Sequence, residues 1–328
     1  MRHANISVFI PHLGCPFKCI FCDQKNITGK SKPVSASEIS GYLKKAINDI
    51  DFNTTDCQIA FFGGSFTAIN LKDMESYLKA AFEFIGPSKC TGIRISTRPD
   101  YINQHILDIL KKYHVDTIEL GVQSLDNQVL LKSGRGHSAL DTENAAKLII
   151  SNGLNLGLQM MVGLPSSSWE SELFTANRII ELGANEVRIY PVIVLPHTTL
   201  SDMYKQGAYT PLSLETAIKR CARLYNLFRQ NNITILKIGL HDANNAIGGP
   251  FHPAFGQMVR SHAFLERLLS DIEPQVNTKV YVNNRFLSTA IGNNKSNIKT
   301  LEKLGYKIIF EIDNTLRTDT YKLEKISG

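Results

Sequence analysis

Cysteine is scarce, six in 328 residues, which excludes a scaffold built on disulfides. Long hydrophobic runs are missing too. Apolar stretches such as Ile118 to Val122, interrupted by Glu119, and Ile189 to Leu195 fall far short of the roughly 20 residues that cross a bilayer. The opening Met1-Arg2-His3 leads into a short polar-flanked strand rather than a secretory leader, so the expected location is the cytoplasm. Charged residues reach only 20%, while apolar residues make up 43%, enough for a sizeable core and contrary to disorder, collagen-like repeats or low-complexity sequence.

What is present begins with the charge. The net +6 is a modest excess that permits a polyanionic partner without requiring one. It is unevenly spread: from Gln275 to Gly328 nine Lys/Arg stand against five Asp/Glu.

Apolar β-branched runs alternate with amphipathic segments along most of the chain, as in βα units of a parallel sheet. Strands are predicted near Ile6 to Ile10, Gln58 to Phe62, Gly92 to Ser96, Thr117 to Val122, Asn155 to Val162 and Glu186 to Val194. The first helix opens with Ser35-Ala36-Ser37-Glu38, a capping box, and carries Ile39, Leu43 and Ile47 at helical spacing. Further helices are predicted over Asp73 to Ile85, Ile102 to His114, Asp141 to Asn152, Ser171 to Gly183 and Leu214 to Asn231. Six consecutive units give an α/β fold, a partial (β/α)6 barrel over residues 1–245, with Ile233 to Leu240 as a seventh edge strand. Residues 246–274 form a connecting loop and helix, and 275–328 a small basic βααβ domain. Chemistry in such barrels sits at the carboxyl ends of the strands.

The first of those ends reads Gly14-Cys15-Pro16-Phe17-Lys18-Cys19-Ile20-Phe21-Cys22, a CxxxCxxC that gathers half of the cysteines. Three thiolates suit a four-iron four-sulfur cluster and leave one iron open to a substrate or cofactor. Structural zinc is the competitor; it takes four ligands from two separated pairs, and the nearby fourth donor is His12. Cys57, Cys90 and Cys221 read as small buried hydrophobes. His241 and His252 lie on a Gly/Pro-rich domain-linking turn.

The second strand ends in Phe62-Gly63-Gly64-Ser65-Phe66-Thr67, where paired glycines admit close backbone approach to a ligand. The fourth strand, Glu119-Leu120-Gly121-Val122-Gln123-Ser124, puts Glu119, Gly121 and Gln123 on one face. A carboxylate and an amide inside an apolar strand are expensive unless paired, so they are expected to line a polar site. Arg135, in the following Lys132-Ser133-Gly134-Arg135-Gly136-His137, offers a fork suited to a carboxylate. Gln159 and Met161 share a face of the fifth strand, and Arg188 and Tyr190 a face of the sixth. Met160 and Met161 read as core residues. Gln159, Arg188 and Tyr190 are candidate substrate contacts, with an ion pair at the barrel rim as the alternative for the last two.

The CxxxCxxC on a first βα loop resembles the radical S-adenosylmethionine superfamily. The blocks GGSFT, STRPDY, ELGVQS with its following RGH, and RIYPVIVL resemble one branch of it, the radical domain of the Elongator catalytic subunit and its bacterial relatives, over roughly residues 5 to 260. The resemblance implies Cys15, Cys19 and Cys22 as ligands of a 4Fe-4S cluster, and S-adenosylmethionine chelating the open iron. Reductive cleavage would then give a 5′-deoxyadenosyl radical, with an electron donor such as ferredoxin or flavodoxin. It further implies Phe21 at the adenine, Gly63, Gly64, Ser65 and Ser96 around the methionyl amine, Gln123 at the ribose and Arg135 at the methionyl carboxylate. Ser65 and Ser96 stand where many relatives carry an acid.

The tail contains Ile291-Gly292-Asn293-Asn294-Lys295-Ser296-Asn297-Ile298-Lys299 between two helices. This resembles the minimal KH motif, whose GxxG loop clamps a nucleic-acid backbone, with Lys295 in place of the second glycine. It implies RNA contact through Gly292, Lys295 and Lys299; the alternative is a capping unit with a solvated basic face. Elongator relatives carry an acetyltransferase domain that this length leaves no room for, so wobble-uridine carboxymethylation is not expected as it stands. RNA modification, with tRNA preferred, leads. Radical chemistry on a small molecule such as a porphyrinogen and a non-catalytic iron–sulfur RNA-binding role are the alternatives.

Overall fold

The structure, a computed structural model, describes residues 2–10, 15–23, 34–240, 243, 245–274 and 276–326. His12 and His241 lie outside these residues. Seven parallel strands run in sequential order: β1 (Arg2–Ile10), β2 (Thr55–Gly63), β3 (Gly92–Thr97), β4 (Val115–Gln123), β5 (Asn155–Val162), β6 (Glu186–Pro191) and β7 (Thr234–Ile238). Between them run α1 (Ala36–Ile47), α2 (Leu71–Phe82), α3 (Gln104–Lys112), α4 (Asn127–Lys132), α5 (Ala139–Ser151), α6 (Trp169–Glu181), α7 (Thr199–Lys205) and α8 (Leu214–Gln230).

Alternation sorts the strand side chains. Ile59 and Phe61, Ile93 and Ile95, Ile118 and Leu120, Leu156 and Leu158, Val187 and Ile189 face the helices and are fully buried with Leu43, Leu78, Leu107, Ile149 and Phe228. Each such side chain contributes about 1.5–3 kcal/mol by leaving water. Helix starts are fixed by caps: Glu38 N donates to Ser35 Oγ at 3.3 Å while Ser35 N donates to Glu38 Oε2 at 2.7 Å.

The other face closes on itself. The Arg188 guanidinium of β6 lies 5.3 Å from the ring centroid of Phe62 on β2. Four inter-strand steps would hold them about 19 Å apart in a flat sheet, so the sheet is curled into a half-barrel. The seventh strand is present at its edge. The sixth ends at Pro191 instead of running to Val194, because Val194 bonds antiparallel to Gly248, and Val192 to Leu195 pack into small clusters of their own.

Helix α9 (Phe255–Asp271) places Phe255, Val259 and Ala263 in the barrel core and Phe264, Leu265 and Leu268 in a second one. That second core is completed by β8 (Thr278–Val282), α10 (Leu287–Ile291), α11 (Ser296–Lys303), β9 (Ile308–Ile312) and β10 (Tyr321–Lys325). The βααβ order is as anticipated, with β8 parallel to β9; β10, pairing antiparallel with β8, is an addition. Among the described residues no helix is long and apolar enough to cross a membrane.

Candidate active site

The loop after β1 is pinned at the carboxyl end of the barrel. Ile20 N donates to Ser133 O at 3.2 Å, just past α4, and Leu200 N of α7 donates to Ile20 O at 2.8 Å. Between these anchors Cys22 N donates to Cys19 O at 3.1 Å. Cys15, Cys19 and Cys22 are half-buried, and none of the six cysteines is in a disulfide. Phe21 packs with Met161 against Val129, Leu164, Leu200 and Tyr209. Cys57 and Cys90 meet in the outer core with sulfurs 3.8 Å apart, and Cys221 is fully buried.

Gly63 ends β2 with φ +113°, and a Cβ there would sit 2.6 Å from Ile10 O, so only glycine lets β2 turn this close to β1. Gly64 N donates to that same carbonyl at 3.0 Å. The Ser65 hydroxyl is 2.9 Å from Thr97 Oγ1, and Thr67 Oγ1 is 2.7 Å from it. Arg98 N donates to Ser65 Oγ at 3.1 Å. The sequence drew attention to Ser96, but its buried neighbour Thr97 joins the second and third strand ends.

A bulge in β4 re-aims Gln123, whose φ is +69°, so that its Oε1 accepts from Gln159 Nε2 at 3.1 Å. Beside it the buried Arg135 donates from Nη1 to Cys19 Sγ at 3.2 Å and from Nη2 to Gly121 O. A Cβ on Gly121 would approach both Gln123 Nε2 and Arg135 Nη2. The cluster loop and two predicted cofactor residues thus converge on one point at the end of β4.

Deeper in the barrel lies a charged floor. Arg94, 1% exposed, donates to Gln58 Oε1 at 3.0 Å, Glu119 Oε1 at 2.9 Å and Glu186 Oε2 at 2.7 Å. Arg188 also holds Glu119, donating to both carboxylate oxygens. Burial opposes the Arg188 charge, but its hydrogen bonds to Glu119 and that carboxylate's charge outweigh burial, and its pKa is raised. Burial raises the Tyr190 phenol as well. Of the two predicted roles for Arg188, an ion pair is therefore formed, though inside the barrel rather than at its rim. Above it Phe62 and the half-exposed Phe9 lie with ring centroids 6.3 Å apart.

Three residues that lie inside the STRPDY and RGH blocks but were given no role complete the site. Arg98 lies 5.0 Å from the Phe17 ring centroid, and Asp100 holds its guanidinium through two hydrogen bonds. His137 is buried beside Arg98 and Arg135, with no hydrogen bond of ordinary length at either ring nitrogen. Burial, then those two positive charges, push its pKa down to about 3.

In the tail, Gly292 has φ +86°, and a Cβ there would meet Ser296 Oγ, Asn297 N and Ser261 Oγ within 3.0 Å. Asn297 Nδ2 donates to Ser261 O and Ala290 O at 3.0 Å each, tying the turn to α9. Gly292 thereby serves close packing. Lys295 takes a left-handed backbone at the start of α11, and Lys299 follows one turn later.

Among the described residues no three His, Cys, Asp or Glu side chains converge on a point as for a single ion. A cluster asks for something different, because each thiolate holds its own iron and the sulfurs stand apart. The donor set is right for that group, and Arg135 Nε, buried and without a hydrogen-bond partner among the described residues, is a donor that a cofactor carboxylate would satisfy.

Comparison with known proteins agrees. The profile of the Radical SAM superfamily matches residues 9–179, and that of the Radical_SAM C-terminal domain residues 184–266. A tRNA uridine(34) acetyltransferase of Methanocaldococcus infernus is 26% identical over 258 residues, covering 66% of this chain and 48% of the relative. Elongator complex protein 3 of Schizosaccharomyces pombe is 28% identical over 199 residues, covering 57% of this chain and 36% of the relative. The chain thus spans about half or less of the length of these curated relatives. In fold it is similar to an archaeal Elp3 of Methanocaldococcus infernus, with TM-score 0.64, 22% identity and coverage of 81% of this chain and 63% of that one. It is also similar to Streptococcus suis SuiB bound to S-adenosylmethionine, with TM-score 0.54, 17% identity and coverage of 73% and 51%.

Proposed function

The chain belongs to the Radical SAM superfamily, and from that premise we propose that this radical SAM enzyme, with a 4Fe-4S cluster and S-adenosylmethionine as cofactors, modifies RNA, with tRNA as the preferred substrate. When bound, cluster and cofactor together supply one-electron reductive cleavage of a sulfonium to a 5′-deoxyadenosyl radical, the electron coming from a donor of ferredoxin or flavodoxin type.

The chain's own residues provide the setting. Cys15, Cys19 and Cys22 are the ligands. Arg135, already on Cys19 Sγ, turns its unused Nε–H to the methionyl carboxylate, so one guanidinium ties ligand loop and cofactor together. The strand-end turn at Gly63 and Gly64 presents backbone to the methionyl amine, with Ser65 and Ser96 beside it, while Gln123 meets the ribose and Phe21 the adenine. Gln159, Tyr190 and the edge of Arg188 face the substrate, and the Glu119 pair holds Arg188 still. Burial keeps Tyr190 protonated and able to donate a hydrogen bond.

The observation that carries this reading is Arg135 bridging Cys19 and Gly121. RNA as substrate class is supported by the names of the curated relatives and by the basic tail, where Lys295 and Lys299 are candidate contacts. Anaerobic reconstitution followed by dithionite and S-adenosylmethionine is expected to yield 5′-deoxyadenosine, and more of it with bulk tRNA present. Cluster-replete protein that forms none would end the catalytic reading. Ala at Cys15, Cys19 or Cys22 should abolish the cluster's visible absorption, whereas Ala at Cys57, Cys90 or Cys221 should not.

A further inference from the structure

The half-barrel is open at β7, and a cavity of about 250 Å³ runs along that edge between α8, α9 and the turn before β10. Its walls carry Arg229, Lys237 and Arg260 and, among the described residues, one carboxylate, Asp319. That carboxylate is already committed: Arg229 Nε donates to Asp319 Oδ2 at 2.8 Å, and Nη2 donates to Asp319 O at 3.1 Å. Arg260 has no carboxylate partner among the described residues. Behind the cavity stands Arg267, its buried Nε without a hydrogen-bond partner among the described residues.

Like charges gathered in a hollow repel. Burial, then the charges of Arg188 and Arg260, lower the pKa of Lys237. Burial and Arg229 do the same to Arg267. An anion entering the hollow would relieve all of these at once. The volume lies below the roughly 300–1,000 Å³ of pockets that enclose a drug-sized ligand, which favours a single small anionic group.

We propose that this cleft binds a phosphate group, and that its source is the backbone of the RNA substrate, the second part resting on the function proposed above. The place suits the task. Lys237 pairs in register with Arg188, whose guanidinium reaches the barrel interior, so a phosphate here holds the strand at the open edge, one strand away from the candidate substrate residues. Backbone contacts of this kind position a nucleic acid without reading its sequence.

The test uses full-length, cluster-replete protein and a labelled tRNA anticodon stem-loop, with affinity followed by fluorescence anisotropy over a range of salt. Arg260→Ala and Lys237→Gln are each expected to weaken binding about 3–10-fold and to lower the salt slope by about one. Both variants should retain full iron content. Wild-type protein that binds RNA while folded variants match its affinity and slope overturns the cleft alone. Wild-type protein that binds no RNA overturns the RNA reading and this source with it. Inorganic phosphate that raises the Tm of the wild type but not of Arg260→Ala, with RNA binding equal in both, assigns the cleft to free phosphate and overturns the RNA source.

Discussion

Gly136 lies flat against the ring of Phe17: a Cβ at position 136 would sit 2.5 Å from Phe17 Cδ2, and the backbone there has φ +72°. The Arg98 guanidinium also meets that ring, 5.0 Å from its centroid. Phe17 lies between the first two cysteines, so this clamp joins the ligand loop to the end of β3 and to the turn after α4.

Gly136→Ala should therefore loosen the loop. A left-handed alanine costs roughly 1–2 kcal/mol in backbone strain alone. The ring must also move, carrying the Cys15–Cys19 segment with it. We expect lower iron per chain after reconstitution and faster loss to a chelator. The double variant Gly136→Ala, Phe17→Ala removes the clash and should recover part of the iron. If the single variant holds iron as tightly as wild type, the clamp does not order the loop.

Glu119 supports two arginines, the buried Arg94 and the half-buried Arg188. Glu119→Ala leaves Arg188 without its carboxylate and Arg94 held by Glu186 alone, and should cost about 3–5 kcal/mol, the loss seen when one partner of a buried ion pair is removed. Urea unfolding of the full chain measures it. A loss under about 1 kcal/mol would mean that water, not Glu119, solvates this floor.

Much of this was legible in the sequence, and what escaped has physical reasons. The cysteine loop, the strand ends and the Ser35 cap are local patterns and lie where local chemistry puts them. Arg94 sits between Ile93 and Ile95 and passes for a strand residue, because its partners Glu119 and Glu186 come from distant strands. Phe17 and Gly136 are likewise joined only by the closure of the barrel. The last strand, Tyr321 to Lys325, hides for another reason: alternate charges blunt an edge strand, and the same charges weaken its hydrophobic signal.

Gly121 is the place to separate cofactor binding from cluster binding. A methyl group there would stand 3.1 Å from Gln123 Nε2 and 3.2 Å from Arg135 Nη2, both far ends of side chains that can shift by a few tenths of an ångström. Gly121→Ala should thus fold and keep its iron. Its affinity for S-adenosylmethionine should fall about tenfold, or about 1.4 kcal/mol, by equilibrium dialysis of reconstituted protein. Unchanged affinity would remove Arg135 and Gln123 from the cofactor site.

His137 gives a pH dependence with a definite sign. It is 7% exposed, and burial followed by the charges of Arg135 and Arg98 holds its pKa at about 3, against 6.5 for an ordinary histidine; Asp100 pulls weakly the other way. Above pH 6.5 the imidazole is neutral whether the chain is folded or not and adds no pH dependence. Below it the unfolded chain takes up a proton that the folded chain refuses, so stability falls by about 1.4 kcal/mol per pH unit until the folded pKa is reached. His137→Leu removes that proton. Subtracting its unfolding free energy from that of wild type across pH 6 to 4 should give a line that drops with acid at close to this slope. A difference independent of pH would place a proton on the native imidazole and contradict its burial between the two arginines.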